Sequence, residues 1–145
     1  HVNLRIMGSL RAVLSLTSND VLSSPINLTA GTSIVADSGS LVRAKVISTS
    51  ADGSTATLRV YEANDKLERA YLYLRNLDTE LENYIYVHNE AVGNDDFAKI
   101  GGGEFMFVPV AIDGKFEVYG TRTNQLIEYG VFGLDNSAVT NTSVA

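Results

Sequence analysis

Few side chains in this sequence are of the kind that do chemistry. The most suggestive group lies in FAKIGGGEFMFVPV, Phe97 to Val110, where Gly101, Gly102 and Gly103 stand beside Glu104. A glycine-rich run cradles phosphate when a strand precedes it and a helix follows, because the helix N-terminus presents free N–H groups and the positive end of a dipole. Here the following residues alternate and meet Pro109, with no GK[ST] and no GxGxxG spacing. The glycines are therefore read as a corner that needs positive φ, which glycine adopts without steric cost.

The other candidates are equally weak as reaction centres. His88 is the only internal histidine, and it shares a strand face with tyrosines. A catalytic base would need a nucleophile and an orienting partner beside it, and no serine stands in a GxSxG elbow. Asn94, Asp95 and Asp96, with Asn89 and Glu90 nearby, make an oxygen-rich stretch, but without the spaced DxDxDG pattern of a calcium loop. Asp78, Glu80 and Glu82 in LDTELEN read likewise as solvated loop carboxylates. A carboxylate pair for glycoside hydrolysis need not be local in sequence. Sugar platforms usually present tryptophan, however, and this chain has none, only seven tyrosines. The sequons at Asn27 and Asn141 matter only in a secretory context, which nothing indicates. The residue types point to no cofactor and no metal.

The tyrosines are the more informative group. Tyr71 and Tyr73, followed by Arg75, alternate along one expected strand, and Tyr84 and Tyr86 along the next. If those two strands pair, the rings form a cross-strand ladder that either covers a sheet or offers a protein-binding surface, where Tyr and Arg are enriched.

The elements that must carry these residues are strands. Period-two alternation puts Val42, Ala44 and Val46 on one face of LVRAKVIS. It does the same for Ala56, Leu58 and Val60 against Arg59 and Tyr61, for Ala70, Leu72 and Leu74, and for Ile85 and Val87. EFMFVPV, KFEVYG and QLIEYGVFG have strand-like composition. Asp113-Gly114 and Asp52-Gly53 are read as hairpin turns and Ala36 to Ser40 as a further turn. Only the stretch from Asp65 to Arg69 offers as much as one helical turn. About nine short strands at this spacing make an all-β antiparallel domain, a β-sandwich or jelly-roll-like fold. Residues 1–30, rich in Ser, Thr and Asn, are read as an extended N-terminal arm, residues 31–133 as the sandwich and residues 134–145 as a polar tail. The arm's Leu4, Ile6, Leu10, Leu14 and Leu16, with Tyr71, Tyr73, Arg75, Tyr84 and Tyr86, are the candidate interface residues.

The chain's 145 residues suffice for one domain with a core of its own. A net charge of −6 disfavours nucleic acid and anionic membranes as partners. The absence of cysteine removes disulfides and thiolate metal sites. No apolar run reaches the roughly 20 residues of a membrane span. Arg5 and Arg11 interrupt the opening apolar stretch, so it is not read as a signal peptide.

The order of pieces in the second half, LYLRN, YIYV, FAKIGGGEFMFVP and IEYGVF, resembles that of small bacteriophage virion proteins, in particular capsid decoration or cement proteins. The resemblance spans about residues 41 to 132 and rests on strand order and turn residues. It implies a jelly-roll-like module on the outer capsid surface, with the major capsid protein as partner and a homo-oligomer, a trimer favoured. Its role would be to stabilise joints between capsomers, without enzymatic activity. The alternatives are a tail-fibre or receptor-binding head module, or a carbohydrate-binding sandwich.

Overall fold

Among the described residues, the two-residue periods of the sequence fold as ten strands. The structure, a computed structural model, describes residues 8–50, 57–62, 67–90, 96–111 and 114–135. The strands are β1 (Gly8–Ser18), β2 (Ile26–Ala36), β3 (Ser38–Val46), β4 (Leu58–Glu62), β5 (Leu67–Asn76), β6 (Ile85–Asn89), β7 (Asp96–Ile100), β8 (Phe105–Val110), β9 (Lys115–Gly120) and β10 (Gln125–Asp135). There is no helix among the described residues; Leu67 to Arg69 begin β5, and residues 63–66 lie outside them.

Two four-stranded antiparallel sheets pack into a sandwich, in the orders β3-β10-β5-β8 and β4-β9-β6-β7. The pairs are nested: β3 with β10, β4 with β9, β5 with β8, β6 with β7. Successive pairs fall in alternate sheets, the order of a jelly roll. The expected all-β, jelly-roll-like sandwich is thus the fold. Among the sandwich strands described, only β6 and β7 are consecutive in the chain and paired in one sheet. Three expected turns consequently differ. Asp113-Gly114 separates β8 from β9, and Asp52-Gly53 separates β3 from β4, and the members of each pair belong to different sheets. Neither dipeptide therefore closes a hairpin between its flanking strands, and Asp52, Gly53 and Asp113 themselves lie outside the described residues. Ala36 to Ser40 does not reverse the chain either. It holds a single bend at Asp37, the one residue between β2 and β3, which belong to different sheets.

The inward faces follow the alternation. Ala70, Leu72 and Leu74 of β5, Ile85 and Val87 of β6, Val46 of β3 and Ile127 of β10 are buried together with Val118 and Ile100. In β4 the register shifts between Arg59 and Tyr61, so this bulge buries Val60 and Tyr61 together, at 3% exposure each. The outward position expected for Tyr61 is therefore corrected.

A fully buried amide, Asn76, fastens the end of the sandwich at the close of β5. Its Nδ2 donates to the carbonyls of Asn83 (2.7 Å) and Ile100 (3.0 Å), and its Oδ1 accepts from the Asp78 N–H (3.0 Å). Its backbone receives Gly103 N–H (2.9 Å) and donates to Glu104 O (3.0 Å). The three glycines meet this hub as a corner. Glu104 N–H bonds Gly101 O at 2.9 Å with Gly103 at φ 84°, which matches a type II turn, and Glu104 Oε1 accepts the Gly101 N–H at 2.6 Å. A Cβ on Gly102 would lie 2.3 Å from Glu80 O, so close approach as well as φ explains the run. The corner opens strand β8, as expected from the sequence.

Outside the sandwich stands the β1–β2 ribbon, paired from Gly8↔Ala36 to Ser18↔Ile26. Its principal neighbour in the body is β10. The ribbon runs to Ala36, where the bend at Asp37 ties it to the body through Asp37 N–H to Gly133 O (3.0 Å).

Candidate interaction surface

Directly opposed residues of an antiparallel pair share a face. The register therefore sorts the ribbon into two surfaces. One carries Leu10, Ala12, Leu14 and Leu16 with Ile34, Thr32, Ala30 and Leu28; the other carries Ser9, Arg11, Ser15 and Thr17 with Ser33, Gly31, Thr29 and Asn27, apart from Val13 and Val35. The apolar face loses cover with distance from the body. Ile34 is 5% exposed near the base, whereas Leu14 is 45%, Leu16 47% and Leu28 50% exposed further out. At the tip, Ser18 Oγ accepts the N–H groups of Asp20 and Val21 (3.3 and 3.1 Å), which tightens the turn and leaves Val21 and Leu22 open.

Of the candidate interface residues, Leu10, Leu14 and Leu16 come together on this apolar face, and Leu4 and Ile6 lie outside the described residues. The tyrosines do not meet as expected. β5 and β6 belong to different sheets, so Tyr71 and Tyr73 form no ladder with Tyr84 and Tyr86. Tyr71 is buried, its ring stacked on Phe107 at 5.9 Å with Arg69 5.7 Å from its centroid. The Tyr73 hydroxyl donates to Glu128 Oε1 at 3.0 Å, and burial first, then that bond, raises its pKa. Arg75 lies on the same outer face, in register with Glu128, which also meets Arg43 at 3.3 Å.

On the outer face of the second sheet Tyr86 stacks on Tyr119 (centroids 5.1 Å apart, planes at 15°), and Lys99 Nζ lies 4.1 Å from the Tyr84 centroid. Tyr119 O–H donates to Asp96, and burial with that bond pushes its pKa up to about 12. Asn94 and Asp95, the rest of the oxygen-rich stretch, lie outside the described residues. These rings spend much of their face area on one another and on Lys99, which suits sheet cover better than a flat sugar platform.

The polar cluster that sequence reasoning missed runs along the same sheet. Arg59 Nη2 donates to Glu117 Oε2 (2.9 Å) and Glu90 Oε2 (2.5 Å), and its Nη1 lies 3.4 Å from Glu62. The Glu117 bond, with the charges of Glu90 and Glu62, raises the Arg59 pKa against the lowering effect of burial. His88, expected as a surface or packing residue, is fully buried. Its Nε2 lies 3.4 Å from Glu117 Oε1, within ionic reach, but neither ring nitrogen makes a hydrogen bond. A general base needs access to its proton donor, and an imidazole with no exposed surface has none in this conformation. Only cross-strand register, invisible in the sequence, brings Arg59, Glu117 and His88 side by side.

Comparison with protein-family models finds no match, and comparison with curated protein sequences finds none either.

Proposed function

We propose that this protein is a structural docking module of a bacteriophage virion. It sits on the outer capsid surface, binds the major capsid protein and stabilises joints between capsomers. The observation that carries the reading is the β1–β2 ribbon, which projects from a firmly packed sandwich and exposes leucines on one face. A contiguous apolar surface left open in this way marks an interaction site. The resemblance in strand and turn order names the capsid as the assembly, and the acidic surface suits a protein partner better than nucleic acid. The jelly roll does not carry the argument, because one fold hosts many functions. Such a role needs no reaction centre and no cofactor: it needs a stiff body and weak contacts multiplied by symmetry.

The test is to mix the purified protein with capsid shells that lack it, sediment them, and image the complexes. Saturable binding at capsomer joints is expected. Density at the tail would replace this reading with a receptor-binding head. Failure to bind shells combined with tight oligosaccharide binding would replace it with a carbohydrate-binding sandwich.

A further inference from the structure

We infer that the outer face of the sheet β3-β10-β5-β8 binds an extended acidic segment of a partner protein, one with apolar side chains between its carboxylates. The inference rests neither on the ribbon nor on the capsid as the assembly.

Charge selects the chemistry of the partner. On this face Arg43, Glu128 and Arg75 stand in one cross-strand row, Lys45 lies opposite Leu126, and Arg69 lies opposite Leu134. The rows from Lys45 to Arg69 therefore carry four cations and one carboxylate, an excess of three positive charges on a chain whose net charge is −6. Glu128 is already held, by Arg43 at 3.3 Å and by the Tyr73 hydroxyl at 3.0 Å. Lys45, Arg69 and Arg75 are exposed and pair with no carboxylate among the described residues. Past the Arg75 end of the face, Asp78 and Glu104 accept backbone N–H groups of their own loops. An arginine fork meets a carboxylate through two parallel hydrogen bonds, so these cations lack the acidic groups that fit them.

The rings set the shape of the segment. Between the two arginines of β5 stand Tyr73 and Tyr71, flanked by Phe107 on β8 and Phe132 on β10. Tyr71 and Phe107 stack with their planes 7° apart, and Phe132 lies over Gly39, where an added Cβ would sit 2.8 Å from Cδ1 of the ring. Phe105 at 60% exposure and Leu41 at 58% stand open on the edge strands β8 and β3. Arg69 and Arg75 are six residues apart on β5, about 20 Å in a strand. A partner segment laid along β5 thus meets a cation, two tyrosines and a second cation, so it fits with carboxylates six positions apart and apolar residues between them. Four strands span about 14 Å, which makes the contact roughly 300 Å² a side, well below a standard interface. Binding should therefore be weak and sensitive to salt. Nucleic acid fits less well: the rest of the chain is acidic, and Tyr71, at 8% exposure, offers little ring surface to a base.

The probe is a seven-residue peptide with glutamate at both ends, leucine at its third and fifth positions and serine between; its control carries glutamine in place of glutamate. In an NMR titration of the isotope-labelled protein, amide shifts should concentrate on β5, β8 and β10, and affinity should fall several-fold as salt rises from about 50 to about 300 mM. Arg69→Gln with Arg75→Gln should weaken binding about fivefold or more, and Arg75→Lys less, since it keeps the charge and loses the fork. Both side chains are exposed, so these variants should melt like the wild type. Equal affinity for the glutamine peptide, an unchanged affinity in the double variant, shifts outside this sheet, or no saturation by about 2 mM peptide overturns the inference. Leu14→Asp on the ribbon should leave peptide binding unchanged; a loss there gives the peptide to the ribbon and overturns it. Oligothymidylate or phosphatidylserine vesicles that bind more tightly than the peptide, and lose that binding in the double variant, assign the face to a polyanion or a membrane and overturn it as well. None of these readouts uses a capsid shell, so the inference and the capsid reading stand or fall separately.

Discussion

Replacing Asn76 tests whether one amide fastens the end of the sandwich. Asn76→Ala removes three side-chain hydrogen bonds at a position with no solvent exposure. Asn83 O keeps a donor in Gln125 Nε2 at 2.9 Å, but Ile100 O and the Asp78 N–H lose this partner. At about 1 kcal/mol net per bond the loss is about 3 kcal/mol, and more where a stranded group cannot reach water. For a domain of this length that lowers Tm by about 6–12 °C, or the urea midpoint by about 1.5–2 M at an ordinary slope. Asn76→Asp keeps the shape but turns a donor into a carboxylate facing two carbonyls, which must raise its pKa above the unfolded value near 3.9. The folded state then binds more protons than the unfolded one at intermediate pH, so stability falls as pH rises. This variant should lie nearest to wild type near pH 4 and lag further behind by pH 8. Urea melts followed by circular dichroism at both pH values measure this directly. A shift under about 0.3 M for Asn76→Ala, or a deficit in Asn76→Asp that ignores pH, would refute the assignment of Asn76 as the fastening.

Gly103→Ala should cost about 1–2 kcal/mol, because its Cβ would meet nothing but the backbone must hold φ at 84°. Gly102→Ala should cost more, since its Cβ would press on Glu80 O, and thermal melts of the pair rank the two effects. Leu72→Ala, at 0% exposure in the core, should cost about 2–5 kcal/mol in chemical denaturation. In an alkaline absorbance titration one tyrosine should ionise near pH 12 and vanish from the curve in Tyr119→Phe. A tyrosine pKa raised on folding means that this group's contribution weakens as pH climbs from about 10 towards 12.

What the sequence disclosed was the faces of strands, because alternation depends only on which side of the pleat a residue stands. Val46, Leu72, Leu74, Ile85 and Val87 are buried where the pattern puts them. Partnership was not legible. Asp113-Gly114 has the chemistry of a tight turn, yet the strands on either side of it pair with β5 and with β4 and β6. Turn residues encode a bend, whereas pairing in a rolled sandwich is decided by segments far apart in the chain. The tyrosine ladder failed for the same reason. The β4 bulge hid Tyr61, since one extra residue inverts the parity on which the reading relies. Leu10, Leu14 and Leu16 were found by composition, but their gathering on one face with Ile34 and Leu28 required the second strand of the ribbon.

The bend at Asp37 does more than change direction. β2 runs through it into β3, and β3 is held to β10 from Ser38 to Val46. Tension on the ribbon would reach β3 through one residue, with no slack loop between them, and a pull along β3 would load all those rungs together, in shear. A tether built this way hands a pull to the edge strand of a sheet, bonded along its length to β10, where a loop-hung flap would simply tear away.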